Sequence, residues 1–293
     1  MTSPAIQWYP GHIAKAERAL AEQLKRVDVI LEVRDARIPL ATHHPRIYHW
    51  IGNRERVLVL NRMDMISDGV REQWHQWFET KGERVYFIDA KHGKGIEAIA
   101  KATQTAGTTM NQRRRDRGMK PRPVRAVVLG FPNVGKSALI NRLLKRRVVE
   151  SARRAGVTRQ LRWVRLSDQL ELLDAPGVLP AQLKDQTAAL KLAICDDIGE
   201  AAYDHQRVAA AFVDLLKQVE ILPGNPRLTE LLRDRYNVDP KSITGEAFVH
   251  QMAAVTHKNN VDRAARQLLT DFRRGILGNL ALDLPPSING YSS

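Results

Sequence analysis

Residues 130–137 read Gly-Phe-Pro-Asn-Val-Gly-Lys-Ser, a complete GxxxxGKS phosphate-binding loop placed mid-chain rather than near the start. Such a loop needs an apolar strand before it and a helix after it. Its glycines let the backbone wrap round phosphates, and its amides point inward at a helix N-terminus whose dipole favours negative charge. The flanks agree: residues 124–129 are an apolar run and residues 136–144 have helical periodicity. The amides from Asn133, Val134 and Gly135 through Lys136, Ser137 and Ala138 are therefore expected around a phosphate chain. Lys136 would reach the β and γ phosphates and Ser137 would ligate Mg²⁺.

A phosphate loop does not choose a base. Asp174-Ala-Pro-Gly177 closes an apolar run and matches a DxxG element, in which Asp174 would hold Mg²⁺ through water and the Gly177 amide would sense the γ-phosphate. Thr158 lies between the loop and Asp174, where a threonine can close on Mg²⁺. Alone, a DxxG or a loop threonine is a common accident. The base reader is Asn61-Arg-Met-Asp64, after an apolar run at residues 56–60. A carboxylate at Asp64 can accept two hydrogen bonds from guanine N1–H and N2–H₂, a donor pair adenine lacks. Asn61 would bridge base and loop, and the planar guanidinium of Arg62 would cover the base. An ordinary strand-end turn would read the same way. Asp89-Ala90-Lys91 follows a run at residues 84–88 and fits an SAK-like element whose backbone contacts guanine O6, with Asp in the place of Ser. Each element sits just after a predicted strand, where open α/β sheets bind ligands. The base-reading pieces precede the phosphate loop, the order of a permuted GTPase.

The rest of the chain agrees with an α/β sheet, parallel-rich and covered on both faces by helices. Helices are predicted at residues 12–26, 70–81 and 95–105, and further strands at 27–33, 161–166 and 170–173. Residues 106–123, with two glycines, two prolines and Arg113-Arg114-Arg115, read as a flexible basic connector, either solvated or in contact with RNA. Beyond residue 197 strand patterns stop and helices are predicted at 206–219, 226–236, 245–256 and 261–275. The expected division is residues 1–196 for the permuted GTPase domain, 197–285 for a small all-α C-terminal domain binding RNA or the ribosome, and 286–293 for a tail.

A formal charge of +14 predicts a polyanionic partner, nucleic acid first, with a plain solubility bias as the alternative. The single cysteine, Cys195, cannot form an internal disulfide and lies in an apolar helical stretch, which suits a buried thiol in a reducing compartment. There is no apolar run long enough to span a membrane and no signal core, so the chain is expected in the cytoplasm, with an organellar matrix or stroma as the alternative. His43-His44 and the other histidines lack metal-ligand spacing, so no structural zinc is expected.

Assembled in order, NRMD, DAK, GFPNVGKS, Thr158 and DAPG resemble the circularly permuted GTPases of the YlqF/RbgA family, which assist large ribosomal subunit assembly. Trp8-Tyr-Pro-Gly-His-Ile-Ala-Lys-Ala16 and Val33-Arg-Asp-Ala-Arg-Ile-Pro39 are similar to that family's signature blocks, and the resemblance runs from about Trp8 to about Leu284. Arg62, Asp89 and Ala175 stand where the family usually has Lys, Ser and Thr. The resemblance implies a GTPase that binds GTP or GDP with Mg²⁺, is slow alone and is stimulated by the ribosomal subunit. Its partners would be the large-subunit precursor and rRNA, and it would act as a monomer. Val178 follows DxxG where many GTPases carry a water-orienting Gln, so the resemblance points instead to His12 as the catalytic group, a helix-packing role being the alternative. Asn133 is similar to the residue that holds K⁺ in potassium-stimulated GTPases, a loop-stabilising Asn being the alternative. Arg263, Arg266, Arg273 and Arg274 are candidate RNA contacts. The competing reading is a nucleotide-gated RNA-binding scaffold with negligible hydrolysis; a P-loop ATPase or small-molecule kinase is disfavoured by Asp64.

Overall fold

A computed structural model describes residues 6, 11–144, 162–175, 177, 180, 185–220 and 228–286. Thr158, Val178 and the tail from residue 287 lie outside them, as do Trp8 to Pro10 of the N-terminal signature. The chain divides into two compact units. One comprises Tyr9–Met63 with Phe78–Gln182; the other gathers Met1–Trp8, Asp64–Trp77 and Leu183–Ser293.

The first unit is built on a six-stranded sheet. Its elements in chain order are α1 (Gly11–Leu24), β1 (Val29–Asp35), α2 (Ile47–Ile51), β2 (Glu55–Asn61), then α3 (Asp68–Thr80), which begins in the other unit, β3 (Val85–Ile88), α4 (Ile96–Asp116), β4 (Val124–Leu129), α5 (Lys136–Leu143), β5 (Arg162–Ser167) and β6 (Leu170–Asp174). The strand order is β3-β2-β1-β4-β6-β5. All neighbours are parallel except the edge pair β5–β6, a hairpin joined by two residues and therefore necessarily antiparallel. Every residue of β1 is buried, as a strand covered on both faces requires. On one face Leu20, Leu24, Ile47 and Trp50 of α1 and α2 pack with Ile30, Val127, Leu129 and Leu173. On the other face lie α4 and α5, which bury Ile96, Ile99, Leu139 and Ile140.

The connector expected at residues 106–123 is instead largely helix: α4 runs unbroken to Asp116. Gly107 does not break it. A Cβ there would lie 2.1 Å from Val124 Cγ2, so the missing side chain is what lets α4 approach β4. The three arginines then sit in the last turn, where cations favour a helix C-terminus.

The second unit is helical: α6 (Gln186–Cys195), α7 (His205–Glu220), α8 (Leu228–Tyr236), α9 (Gly245–Thr256) and α10 (Val261–Arg273). Four of these starts are capped by the side chain of the preceding residue, that of α7 by Asp204 Oδ1, which takes the Arg207 amide at 2.8 Å. Asp185 Oδ1 takes the Thr187 and Ala188 amides, Thr244 Oγ1 the Ala247 amide, and Asn260 Oδ1 the Arg263 amide. Phe212 of α7 packs on Phe272 of α10 at 4.8 Å between ring centres, and Cys195 is fully buried. Residues 64–77 join this unit: the Asn279 side chain donates to Ile66 O, and Gly275 lies against Met65. No helix among the described residues is long and apolar enough to cross a membrane.

Candidate nucleotide-binding site

Strand register lines up the motif residues. Asp35 pairs with Asn61, Asn61 with Ile88 and Val128 with Asp174, and Leu129 precedes the phosphate loop. The carboxyl ends of β1, β2, β3, β4 and β6 therefore form one edge carrying 61–64, 89–91, 130–137 and 174–177.

Asn61 ties that edge together. Its Nδ2 donates to Val134 O at 2.8 Å, inside the phosphate loop, and its Oδ1 accepts the Ala90 amide at 3.0 Å. Both bonds are buried, so neither group competes with water. Gly135, at φ 99°, makes the approach possible: a Cβ there would lie 2.1 Å from Asn61 Nδ2. Gly130 has the same kind of role, since a Cβ would lie 2.2 Å from Val33 O. Asp64 is exposed on a short 3-10 turn, Met63–Met65, open to a base.

Arg62 is placed differently from the expectation that it covers a base. Its Nη2 donates to Asn133 O of the loop at 2.6 Å, and its Nε lies 3.4 Å from Asp35 Oδ2. Asp35 is held by Arg37, whose Nε and Nη2 reach its two oxygens at 3.0 and 2.7 Å. Burial pushes the Asp35 carboxyl up, but Arg37 and Arg62 outweigh it and hold the group ionised below its ordinary range. The Asp35–Arg37 pair thus explains the Val33–Pro39 signature block as a brace beneath Arg62 and the loop.

Asp89 stabilises its own turn. It accepts the His92 amide at 2.9 Å and lies 2.6 Å from His92 Nδ1. Burial raises its carboxyl, and the His92 and Lys91 hydrogen bonds bring it below its ordinary value. Arg142 of α5 closes the other side, donating to Ala90 O at 3.1 Å and to Lys91 O. Arg142 is a residue of this edge that motif reading does not pick out, and Asp35 and Arg37 it gives only as part of the 33–39 block.

Lys136 is buried, its ammonium donating to Gly130 O at 3.1 Å and Phe131 O at 2.7 Å. Asp174 is buried too, and its Oδ1 has no hydrogen-bond partner. Burial pushes its pKa up to about 6, against the pull of Lys136. A buried carboxylate with a free oxygen at the strand end next to the phosphate-loop strand suits an indirect ligand of Mg²⁺, and Ser137 lies in the first turn of α5. Gly177 rests on the loop: a Cβ there would lie 2.7 Å from Pro132 Cα. His12 is the second residue of α1; its side chain lies outside the described residues.

Comparison with known proteins decides the family. The chain is 34% identical over 286 residues to Ribosome biogenesis GTPase A of Bacillus cereus, covering 96% of this chain and 94% of that protein. The chain belongs to the ribosome biogenesis GTPase A family. It is also 28% identical over 297 residues to Mitochondrial ribosome-associated GTPase 1 of Bos taurus, covering 94% and 88%. A family model described as 50S ribosome-binding GTPase matches residues 125–237. The crystal structure of GNP-bound YlqF from Thermotoga maritima shares the fold, with a TM-score of 0.61 at 21% identity, covering 94% of this chain and all of that one. As in that family, the motifs of this GTPase run in permuted order and still meet at one sheet edge.

Of the four C-terminal arginines expected on RNA, Arg273 is committed within the fold. It donates to Ile194 O, Ala193 O and the Tyr203 hydroxyl at 2.7–2.9 Å, closing the C-terminus of α6. Arg266 pairs with Asp262 at 2.8 Å, while Arg263 and Arg274 are exposed.

Proposed function

We propose that this GTPase times a late step of large ribosomal subunit assembly: it binds the precursor particle through rRNA in the GTP form and leaves after hydrolysis. The single observation that carries the guanine-nucleotide part is Asn61, which joins the phosphate loop to the 89–91 turn through two buried hydrogen bonds. Asp64 would then select guanine through its paired N–H donors. Lys136 would exchange a loop carbonyl for the β and γ phosphates, a swap between acceptors already within reach. Ser137, Thr158 and Asp174 (through water) would hold Mg²⁺, which when bound offsets phosphate charge in the transition state.

His12 is assigned the positioning of the attacking water, with turnover slow until the subunit docks. Asn133 sits at φ 57°, and its side chain is the candidate ligand of a K⁺ ion. Residues 1–196 would act as the GTPase domain, residues 197–285 as the RNA-binding domain and 286–293 as a tail. The charge of +14 and the exposed Arg263 and Arg274 support an RNA partner. A monomer working in the cytoplasm, or in an organellar matrix or stroma, completes this reading.

The test is GTP and ATP turnover in K⁺ buffer, with and without purified large subunits. Stimulation of GTP turnover alone is expected, lost in His12→Ala with GTP affinity retained. Tight GTP binding with no stimulation would favour the competing scaffold role.

A further inference from the structure

The amino ends of the strands carry a second cluster, far from the nucleotide. Arg125 is five residues before Gly130 on the same strand, which at ~3.3 Å per residue is about 17 Å away. Asp28 organises this end. Its carboxylate accepts two hydrogen bonds from the Arg122 guanidinium at 2.8 and 2.9 Å and one from the Arg125 amide at 2.9 Å. Asn111 of α4 bonds to Arg122 N and O, which seats the last turns of α4 against the same strand ends. Asp28 is thereby used up. Among the described residues, exposed Arg26, Arg113, Arg117 and Lys120 have no acidic partner.

Arg26 also lines a cavity of about 320 Å³, with Arg125, Trp163, Val164, Arg165 and Glu171. Its wall is ordered. Trp163 is half-buried, packs on the α1–α2 core and donates its indole N–H to Gln23 at 3.1 Å. The Arg125 guanidinium lies over the indole, 5.6 Å from the ring centre, and is held by Glu171 at 3.0 Å. Arg165 is held weakly, its Nε donating to Ser167 O at 3.4 Å and its Nη2 pairing with exposed Asp168, an ion pair of little strength. Three arginines against one glutamate leave the cavity cationic, and an aromatic–guanidinium wall offers a flat surface to a base.

We propose that this cavity is a single-stranded RNA subsite: one base stacks on the Arg125–Trp163 wall, and Arg26 and Arg165 take its flanking phosphates, while exposed Arg113, Arg117 and Lys120 add to the positive charge of the same strand ends. This rests on the reading that the chain binds rRNA and adds a contact on the unit built round the sheet, at the strand ends opposite the nucleotide site. Because it lies at the opposite strand ends, it leaves GTP binding alone.

The test uses the full chain and a 12-nucleotide fluorescein-labelled single-stranded RNA of mixed sequence, followed by anisotropy from 50 to 200 mM salt. The Arg26→Glu/Arg165→Glu variant is expected to bind at least about tenfold more weakly and to lower the salt slope by about 1.4, the loss of two phosphate contacts. Its GDP affinity should be unchanged. RNA should quench tryptophan emission in the native chain, and Trp163→Phe, which keeps an aromatic core contact, should lose most of that quench. Equal RNA affinity and salt slope in the Arg26→Glu/Arg165→Glu variant would overturn the subsite and leave the rRNA reading standing. Dextran sulfate binding as tightly as RNA, with no change in Trp163 emission, would overturn it too, reducing the cluster to a charged face. If the native chain bound neither this RNA nor large subunits, both readings would fall.

Discussion

The base-reading side and the metal side of the same sheet edge are built on opposite plans. On the base side nearly every polar group is spoken for: Asn61 spans two loops, Arg62 is fixed between Asn133 and Asp35, and Arg142 grips the carbonyls of residues 90 and 91. On the metal side Asp174 is buried with an unpartnered oxygen and a carboxyl pushed up to about 6. The first arrangement is fixed by its own hydrogen bonds, so the guanine reader proposed there would need little further ordering. The second holds a carboxylate whose ionised form is costly in the bare protein, a cost that Mg²⁺ would offset on the proposed reading. Stability is given up where the chemistry needs charge and kept where recognition needs shape.

That contrast can be broken in steps. Asp64→Ala removes the exposed carboxylate proposed to read the base and should abolish guanine preference, costing about 3 kcal/mol of GDP affinity, roughly 100-fold, with little loss of stability. Competition between GDP and ADP for a fluorescent analogue measures it. Asn61→Ala strips partners from the Ala90 amide and Val134 carbonyl, so it should lower both folding stability and GDP affinity by about 2 kcal/mol. Parallel urea melts and titrations check that the two fall together. Arg62→Lys keeps the charge and the usual family residue but cannot reach Asn133 O and Asp35 at once. Its expected cost in GDP affinity is about 1 kcal/mol. An unchanged affinity would mean that the Asp35–Arg37 brace is structural only.

The meeting of the motif segments was legible in the sequence because they are local: 61–64, 130–137 and the segment from Asp174 each follow an apolar strand, and one sheet edge collects strand ends. What escaped is long-range. Arg142 stands 51 residues beyond Lys91, and nothing in its own neighbourhood marks it as the clamp on that turn. Asp35 and Arg37 read only as part of a signature block with no stated role until burial shows them as a pair beneath Arg62. The error at residues 106–123 came from treating Gly107 as a breaker. A glycine in a helix loses about 1 kcal/mol against alanine, and here packing on Val124 demands it. The five-residue α2 was too short to have a period. In the helical unit, periodicity placed α7 to α10 within a few residues, but it could not tell a free arginine from one like Arg273 that caps a neighbouring helix.

The most direct test of the contrast is the unfolding stability of nucleotide-free, Mg²⁺-free protein against pH, native chain beside Asp174→Asn. A carboxyl raised from 3.8 to about 6 in the fold binds its proton more tightly when folded, so native stability should rise as pH falls from 6 towards 4. The account predicts that Asp174→Asn is the more stable protein at pH 7.5 and that the gap closes across this window. A native chain as stable as the variant at pH 7.5, or a gap that does not change with pH, would contradict it.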